Sequence, residues 1–143
     1  LLQGLRGKHL TVHGAGSSIR NYLYATDAAQ AFVAILQRGA LGQTYNISGQ
    51  QECSTLDIAQ NIQALLPKNG TPAPHIQHVR DRFHNDQRYS VDATKLHRLG
   101  WTPRVMLEEG LQACLDWYRS MNEARYADVS LDAHPGATVL DKA

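Results

Sequence analysis

Hydrophobic and polar positions along the chain switch between a period of two and a period near 3.6. The segment from His9 to His13 alternates and ends at Gly14, which predicts a strand. Thr44 to Ser48 alternates in the same way, and a short apolar run covers Ile76 to Val79. Strands this few and short, interleaved with helical segments, predict an α/β fold. A sheet of about three short strands is small, so we expect these elements to need another sheet to complete them.

Three helices are predicted from apolar stripes with helical spacing. The first begins at a cap on Thr26 or Asp27 and stops at Gly39, and the second begins at the capping pair Ser54 and Asp57. Pro67 ends the second helix, and two shorter helices are expected at 1–6 and from Asp92 to Gly100. The stripes are Ala28, Ala31, Phe32, Ile35 and Leu36 in the first, Leu56, Ala59, Ile62, Leu65 and Leu66 in the second, and Leu107, Leu111, Cys114, Leu115 and Tyr118 in the last.

The stretch at 81–89, Asp-Arg-Phe-His-Asn-Asp-Gln-Arg-Tyr, follows neither period and is predicted to be a loop. Polar loops between ordered elements often carry binding groups. Arg82 and Arg88 have planar guanidinium groups that suit a phosphate, and Asp81 and Asp86 would hold those arginines in place. The alternative interpretation is a surface loop of ion pairs with no binding role.

Composition places the chain among globular proteins and excludes several partners. Its 143 residues are 43% apolar and 19% charged, with a formal net charge of +1. That balance predicts no nucleic-acid partner, and no apolar run approaches the roughly 20 residues of a membrane span. Cys53 and Cys114 are predicted to be small buried groups, which favours a soluble protein in a reducing compartment, cytoplasm or organelle interior. The chain opens on Leu1 without methionine, which suggests a processed or truncated product.

Two further patterns resemble a cofactor site and a metal site, and we reject both interpretations. Gly14-Ala15-Gly16 resembles the start of a dinucleotide fingerprint, but Ile19 stands where the third glycine belongs and an extended segment follows. His75 and His78 are three residues apart on a predicted strand, so their side chains point to opposite faces. We therefore expect neither a dinucleotide site nor a metal site in these segments.

The pattern Asp-Arg-x-x-Asn-Asp-x-Arg-Tyr at 81–89, followed by Lys95-Leu96 and Leu99-Gly100-Trp101, resembles the late part of the nucleotide-sugar 4,6-dehydratases. These dTDP-glucose and UDP-glucose dehydratases, which include plant rhamnose-synthase enzymes, belong to the extended short-chain dehydrogenase/reductase superfamily. The resemblance runs from about residue 2 to 118. It implies the C-terminal, nucleotide-sugar-binding half of that fold at 1–126, an irregular tail at 127–143, and an absent Rossmann NAD-binding half.

The resemblance implies four substrate-binding residues. Arg20, in the context Gly16-Ser17-Ser18-Ile19-Arg20, matches a family arginine on the diphosphate, and Arg82 matches the arginine that grips it from the other side. Asn46 matches an asparagine near the diphosphate and ribose, and Asn85 occupies a position beside the nucleotide. The alternatives from the residues alone are that Arg20 is an exposed arginine and that Asn46 ends a strand or caps a turn. Two departures from the family are Ser48 in place of glycine and Phe83 in place of proline.

The motifs that such an enzyme needs for NAD chemistry are not found in this sequence. No tyrosine is followed four residues later by lysine, so the family's Tyr-x-x-x-Lys pair is missing, and no residue is assigned a catalytic role. The resemblance implies NAD for the complete enzyme, with oxidation at C4, loss of water across C5 and C6, and return of the hydride to C6. We expect this chain to bind no cofactor and to be inactive alone.

Three hypotheses follow for what the chain does. In the first, the chain is the substrate-binding part of a 4,6-dehydratase whose NAD-binding half lies elsewhere, with a nucleotide-diphosphate sugar and a second protein chain as partners. In the second, the chain is a catalytically inactive remnant that serves as an accessory subunit of a larger assembly. In the third, the chain is a free-standing nucleotide-sugar binder, and this hypothesis ranks lowest because half of such a fold would expose apolar surface.

Overall fold

A computed structural model describes residues 1–66 and 73–121 of the chain. The predicted tail at 127–143 and the helix-ending Pro67 lie outside the described residues. Helices and strands alternate, so the predicted α/β class is confirmed. In chain order the elements are α1 (Leu2–Leu5), β1 (Leu10–His13), β2 (Ile19–Asn21), α2 (Ala25–Arg38), β3 (Glu52–Ser54), α3 (Thr55–Leu65), β4 (Ile76–Val79), α4 (Thr94–His97) and α5 (Leu107–Ser120).

The strands form two small sheets instead of the single sheet of about three strands that the sequence predicts. β1 and β4 are parallel, with Leu10 opposite Ile76 and His13 opposite Val79. β2 and β3 are antiparallel, with Arg20 opposite Cys53. β3 is not predicted from the sequence, because its three residues merge with the helix cap that follows. Helix α3 contacts both sheets and therefore joins them.

Buried side chains form a cluster around α2, and others lie on β1 and β4. Ala31 and Ala34 of α2 pack against Leu96 of α4 and Trp101, and the half-buried Tyr45 and Ile47 close this cluster. Val12, Val79, Leu96 and Leu115 are the largest side chains that are almost fully buried. No helix of the described residues is long and apolar enough to span a bilayer.

The predicted strand at Thr44–Ser48 is wrong. The segment pairs with no other strand of the described residues, although the alternation that suggested a strand is present. Tyr45 and Ile47 face the α2 cluster, whereas Thr44 and Asn46 are exposed. A strand needs a neighbour for its backbone groups, and this segment has the side-chain pattern without that neighbour.

The predicted cap of the first helix is also wrong, because α2 begins at Ala25 and has no side-chain cap. Asp27 is buried, and its Oδ2 accepts hydrogen bonds from the amides of Arg104 and Val105, both at 2.9 Å. The stripe differs as well: Ala31 is buried, but Phe32 is 60% exposed and Leu36 is 85% exposed. Helix α2 therefore presents an apolar face that no described residue covers.

Helix α3 begins at the predicted capping box. The Ser54 hydroxyl accepts from the Asp57 amide at 3.0 Å, and Asp57 Oδ2 accepts from the Ser54 amide at 2.9 Å. α3 ends at Leu65, and Leu66 adopts an extended backbone, as expected for a residue before proline. The short helix α4, the turn at Gly100 and the stripe of α5 also agree with the predictions.

Replacing Ser54 by alanine should lower the free energy of unfolding by about 1 kcal/mol at neutral pH. The Ser54 hydrogen bonds lower the pKa of Asp57 below its ordinary value of 3.8. A lowered pKa in the folded state stabilises the protein above the unfolded pKa, and this contribution is lost as the pH falls through the folded pKa. Urea denaturation should therefore show a difference between wild type and Ser54→Ala at pH 7 that shrinks as the pH falls through the lowered pKa of Asp57. A difference that stays constant with pH would contradict the hydrogen bond from the Ser54 hydroxyl to the Asp57 carboxylate.

Candidate functional site

The segment at 81–89 follows β4 directly and forms a loop, as predicted. Its first half extends from the end of β4, and its second half returns to β2, where the Ile19 amide donates to the Gln87 carbonyl at 2.8 Å. A single bridge joins Ile19 and Arg88. The loop therefore lies along the edge of β2 that does not pair with β3, and this places its side chains beside Arg20.

Arg20 is held on three sides. Its Nη1 donates to the Ile19 carbonyl at 2.7 Å, and its Nη2 lies 3.5 Å from Asn85 Oδ1. The guanidinium carbon lies 4.5 Å from the centroid of the Tyr89 ring, which is a cation–π contact. The side chain is only partly exposed. Arg20 is thus a fixed cation rather than a freely moving surface arginine.

Asn85 connects the loop at 81–89 to the segment that carries Ser18 and Arg20. Its Nδ2 donates to Ser18 Oγ at 2.8 Å and to Asp81 Oδ1 at 3.1 Å, while its Oδ1 faces Arg20. Two of the four predicted residues, Arg20 and Asn85, are therefore in contact although 65 positions separate them. Nothing in the sequence indicates that Ser18 would be the partner.

Arg82 lies on the same loop, three positions before Asn85, and is exposed. Its backbone amide donates to Asp81 Oδ1 at 2.8 Å. Its guanidinium makes no hydrogen bond or ion pair with another described residue, so all five of its donors are available to a ligand. Phe83, in the position of the family's proline, is 91% exposed and lies near Arg80.

Asn46 is placed at the other end of the loop. Its Nδ2 donates to the carbonyl of Asp92 at 3.1 Å, three residues after Tyr89. Ser48, in the position of the family's glycine, is buried, and its hydroxyl donates to the Gly49 carbonyl. The glycine is needed one position later, because a β-carbon at Gly49 would lie 1.9 Å from the Tyr22 carbonyl oxygen. Asn46 therefore borders the loop without contacting the other three predicted residues directly.

The two aspartates of the loop do not hold the arginines as predicted. Asp81 accepts from the Arg82 backbone and from Asn85, and Asp86 accepts a short hydrogen bond from the Tyr89 hydroxyl. That hydrogen bond and the charge of Asp86 raise the pKa of Tyr89. Arg88 pairs instead with Glu52, which is not among the predicted residues.

The glycine turn at 14–16 does not fit a dinucleotide. It leads into strand β2, not into a helix, as predicted from Ile19. A β-carbon at Gly14, whose φ is +57°, would lie 2.6 Å from Asp81 Oδ2. The glycine thus makes room for the Asp81 carboxylate. The turn is followed by a strand, whereas the turn of a dinucleotide site opens a helix.

The histidines at 75 and 78 have separate surroundings. His75 lies with its ring 6.0 Å from that of His9, and His78 Nδ1 lies 2.7 Å from the Gly14 carbonyl oxygen. Within the described residues, no three histidine, cysteine, aspartate or glutamate side chains come together as a candidate metal site.

The fold identifies the chain as part of an extended short-chain dehydrogenase/reductase. A family model described as GDP-mannose 4,6 dehydratase matches residues 2–114. The chain belongs to this family.

Similar proteins are nucleotide-sugar 4,6-dehydratases. A trifunctional UDP-glucose 4,6-dehydratase, 3,5-epimerase and reductase of Arabidopsis thaliana is 42% identical over 94% of this chain and 20% of its own length. The dTDP-D-glucose 4,6-dehydratase of Mus musculus is 35% identical over 87% of this chain and 36% of its own length. The chain therefore spans between a fifth and about a third of the length of these relatives.

Solved structures give the same family. The dTDP-glucose 4,6-dehydratase of Bacillus anthracis, in complex with NAD, is 33% identical, with a TM-score of 0.75 over 86% of this chain and 38% of that one. The dTDP-glucose 4,6-dehydratase DesIV of Streptomyces venezuelae, with NAD bound, is 29% identical, with a TM-score of 0.77 over 87% of this chain and 38% of that one. The prediction of a partial dehydratase fold is confirmed.

Proposed function

We propose that this chain is the substrate-binding part of an NAD-dependent nucleotide-sugar 4,6-dehydratase acting on UDP-glucose or dTDP-glucose. The observation that carries the proposal is the ordered Arg20 beside a loop that offers the guanidinium of Arg82, which pairs with no other residue of the described ranges 1–66 and 73–121. Arginines bind phosphate oxygens through two parallel N–H donors, and two arginines from distant parts of a chain suit the two phosphates of a diphosphate.

Each proposed binding residue has a separate task. Arg20 and Arg82 neutralise the charge of the diphosphate, one as a fixed group and one as a mobile group that closes on the ligand. Asn85 and Asn46 offer amide groups at the two ends of the loop, suited to the nucleotide and the ribose. No residue of the chain is proposed to be catalytic, and the NAD chemistry of the 4,6-dehydration is assigned to residues other than these.

A second protein segment is proposed to cover the apolar face of α2. Phe32, Leu36 and Leu41 are 60%, 85% and 99% exposed, which is a large apolar surface for a small fold. The neighbouring segment at 44–48 has the side-chain pattern of a strand and no pairing strand among the described residues. Both features favour a partner that supplies a strand and an apolar surface: the NAD-binding half in the split-enzyme hypothesis, or another subunit if the chain is an inactive accessory protein.

Titration calorimetry of the folded chain with UDP-glucose and dTDP-glucose tests the binding function. We expect micromolar affinity for one of them, since charged hydrogen bonds to a diphosphate contribute most of the binding energy. UMP and dTMP are matched controls, because they keep the base and ribose but have a single phosphate, and they should bind much more weakly.

Circular dichroism and light scattering first establish that the chain is folded and monodisperse. If such a sample binds neither sugar nucleotide, the proposal that this chain carries the diphosphate site is wrong, and the accessory-subunit hypothesis gains. A chain that co-purifies with a protein containing a glycine-rich turn and Tyr-x-x-x-Lys would instead favour the split enzyme.

A further inference from the structure

The end of the loop at 81–89 lies beside β2, in the place of a third strand, and is joined to it by the bridge between Ile19 and Arg88. Ile19 pairs with Ser54 on one side and bridges to Arg88 on the other. The Ile19 amide donates to the Gln87 carbonyl at 2.8 Å, so the backbone of the loop is fixed at this point. The order across the sheet is β3, β2 and then the loop.

The side chains of this three-stranded unit divide between its two faces. Successive residues of a strand point to opposite faces, and paired residues share a face. Arg20 therefore lies on one face, where Tyr89 of the loop stacks on it at 4.5 Å. Glu52 lies opposite Asn21 on β3, and so belongs to the other face, as does Arg88 opposite Ile19.

On that second face, Glu52 and Arg88 connect the two outer strands across β2. Arg88 Nε lies 3.0 and 3.1 Å from the two Glu52 oxygens, and Arg88 Nη2 lies 2.7 Å from Oε2. This is a bidentate ion pair, and it raises the pKa of the Arg88 guanidinium. The side chains are 57% and 30% exposed, so we expect the pair to contribute little to overall stability. Its effect is geometric, because it holds the loop in one register on β2.

We propose that Glu52 is a positioning residue for the nucleotide-sugar site. Through Arg88 it holds the end of the loop, and this keeps Tyr89 on Arg20 and Asn85 beside it. Among the described residues, loss of the ion pair leaves the loop attached to β2 through the Ile19 and Asn85 hydrogen bonds and the Arg20–Tyr89 contact, so Arg20 is held less firmly where it would bind the diphosphate. This inference rests on the proposed binding function.

Charge reversal tests the proposal. Glu52→Arg and Arg88→Glu should each weaken binding of the nucleotide sugar by about 5- to 10-fold, and the double variant Glu52→Arg/Arg88→Glu should restore it to within about twofold. The melting temperature should change little in all three, because the pair is exposed. The exposed pair of Asp116 and Arg119 on α5 is the matched control, and Asp116→Arg should leave the affinity unchanged.

Hydrogen exchange at the Ile19 amide provides a measurement that does not depend on the ligand. Exchange should be faster in Glu52→Arg and return to the wild-type rate in the double variant, because the loop covers this amide. If the wild type binds but neither reversal changes affinity or exchange, the positioning role is wrong and the binding function stands. If the folded wild type binds no nucleotide sugar, both the binding function and the positioning role are overturned.

Discussion

Replacing Arg20 by alanine should weaken binding of the nucleotide sugar by about one to two orders of magnitude. One or two charged hydrogen bonds would be lost, which costs about 1.5–3 kcal/mol in total, and about 1.4 kcal/mol corresponds to a tenfold change in affinity. The loss is expected to be large because Arg20 is already ordered by Ile19, Asn85 and Tyr89 before the ligand arrives. Because the Arg20 side chain is already ordered, it loses little conformational entropy when the ligand binds. Titration calorimetry of the folded variant measures the effect.

Three variants make the Arg20 result specific. Arg20→Lys keeps the charge but not the planar fork, and should lie between wild type and Arg20→Ala. Arg82→Ala should weaken binding as well, but less, since its exposed side chain must be ordered by the ligand. Arg98, an exposed arginine at the end of α4, is the control, and Arg98→Ala should bind like the wild type. Unchanged affinity in both Arg20→Ala and Arg82→Ala would show that the site is assigned to the wrong residues.

Replacing Asp27 by alanine should destabilise the fold by about 2 to 4 kcal/mol. Its buried carboxylate accepts from the amides of Arg104 and Val105, and removing it leaves two partly buried donors without a partner. These bonds attach the segment before α5 to helix α2, and the Asp27 carbonyl also accepts from Trp101 Nε1 at 3.2 Å. The free energy of unfolding from urea denaturation, followed by tryptophan fluorescence, gives the value.

Two controls separate this role from a general effect of charge. Asp27→Asn keeps one carbonyl acceptor of the same shape and should cost less than Asp27→Ala. Asp116→Ala removes an exposed aspartate of α5 and should change stability by no more than about 0.5 kcal/mol. A loss below about 1 kcal/mol in Asp27→Ala would mean that water replaces the carboxylate, and that this connection is not a determinant of the fold.

The site residues show which features of the site a local sequence pattern can predict. Arg20, Asn46, Arg82 and Asn85 were assigned through motifs that resemble the dehydratases, and the structure brings Arg20 and Asn85 into contact. The buttressing contacts are different. Asp81 and Asp86 are close in sequence to the arginines, yet Glu52 is the residue that pairs with Arg88. Which acid meets which arginine depends on the register of β3, β2 and the loop, and no local pattern contains that register.

The segment at 44–48 and Asp27 show that local patterns also fail to predict some features of the fold. Tyr45 and Ile47 do face the core, but whether an alternating segment becomes a strand depends on a neighbour elsewhere in space. Asp27 has the right residue type and position for a helix cap, yet its carboxylate accepts hydrogen bonds from two backbone amides 77 and 78 residues away. Long-range hydrogen bonds override a local preference when the group is buried.

The α/β class, the helices with clear stripes, the loop at 81–89 and the dehydratase family were predictable from the sequence alone. These depend on short-range periodicity, turn residues and contiguous motifs, which a single chain displays directly. The tertiary structure was needed to show that the strands form two sheets, that Asn85 and Tyr89 hold Arg20, and that Glu52 forms an ion pair with Arg88 of the loop. Those features are contacts between segments more than 30 residues apart, and their choice is made by packing and strand register.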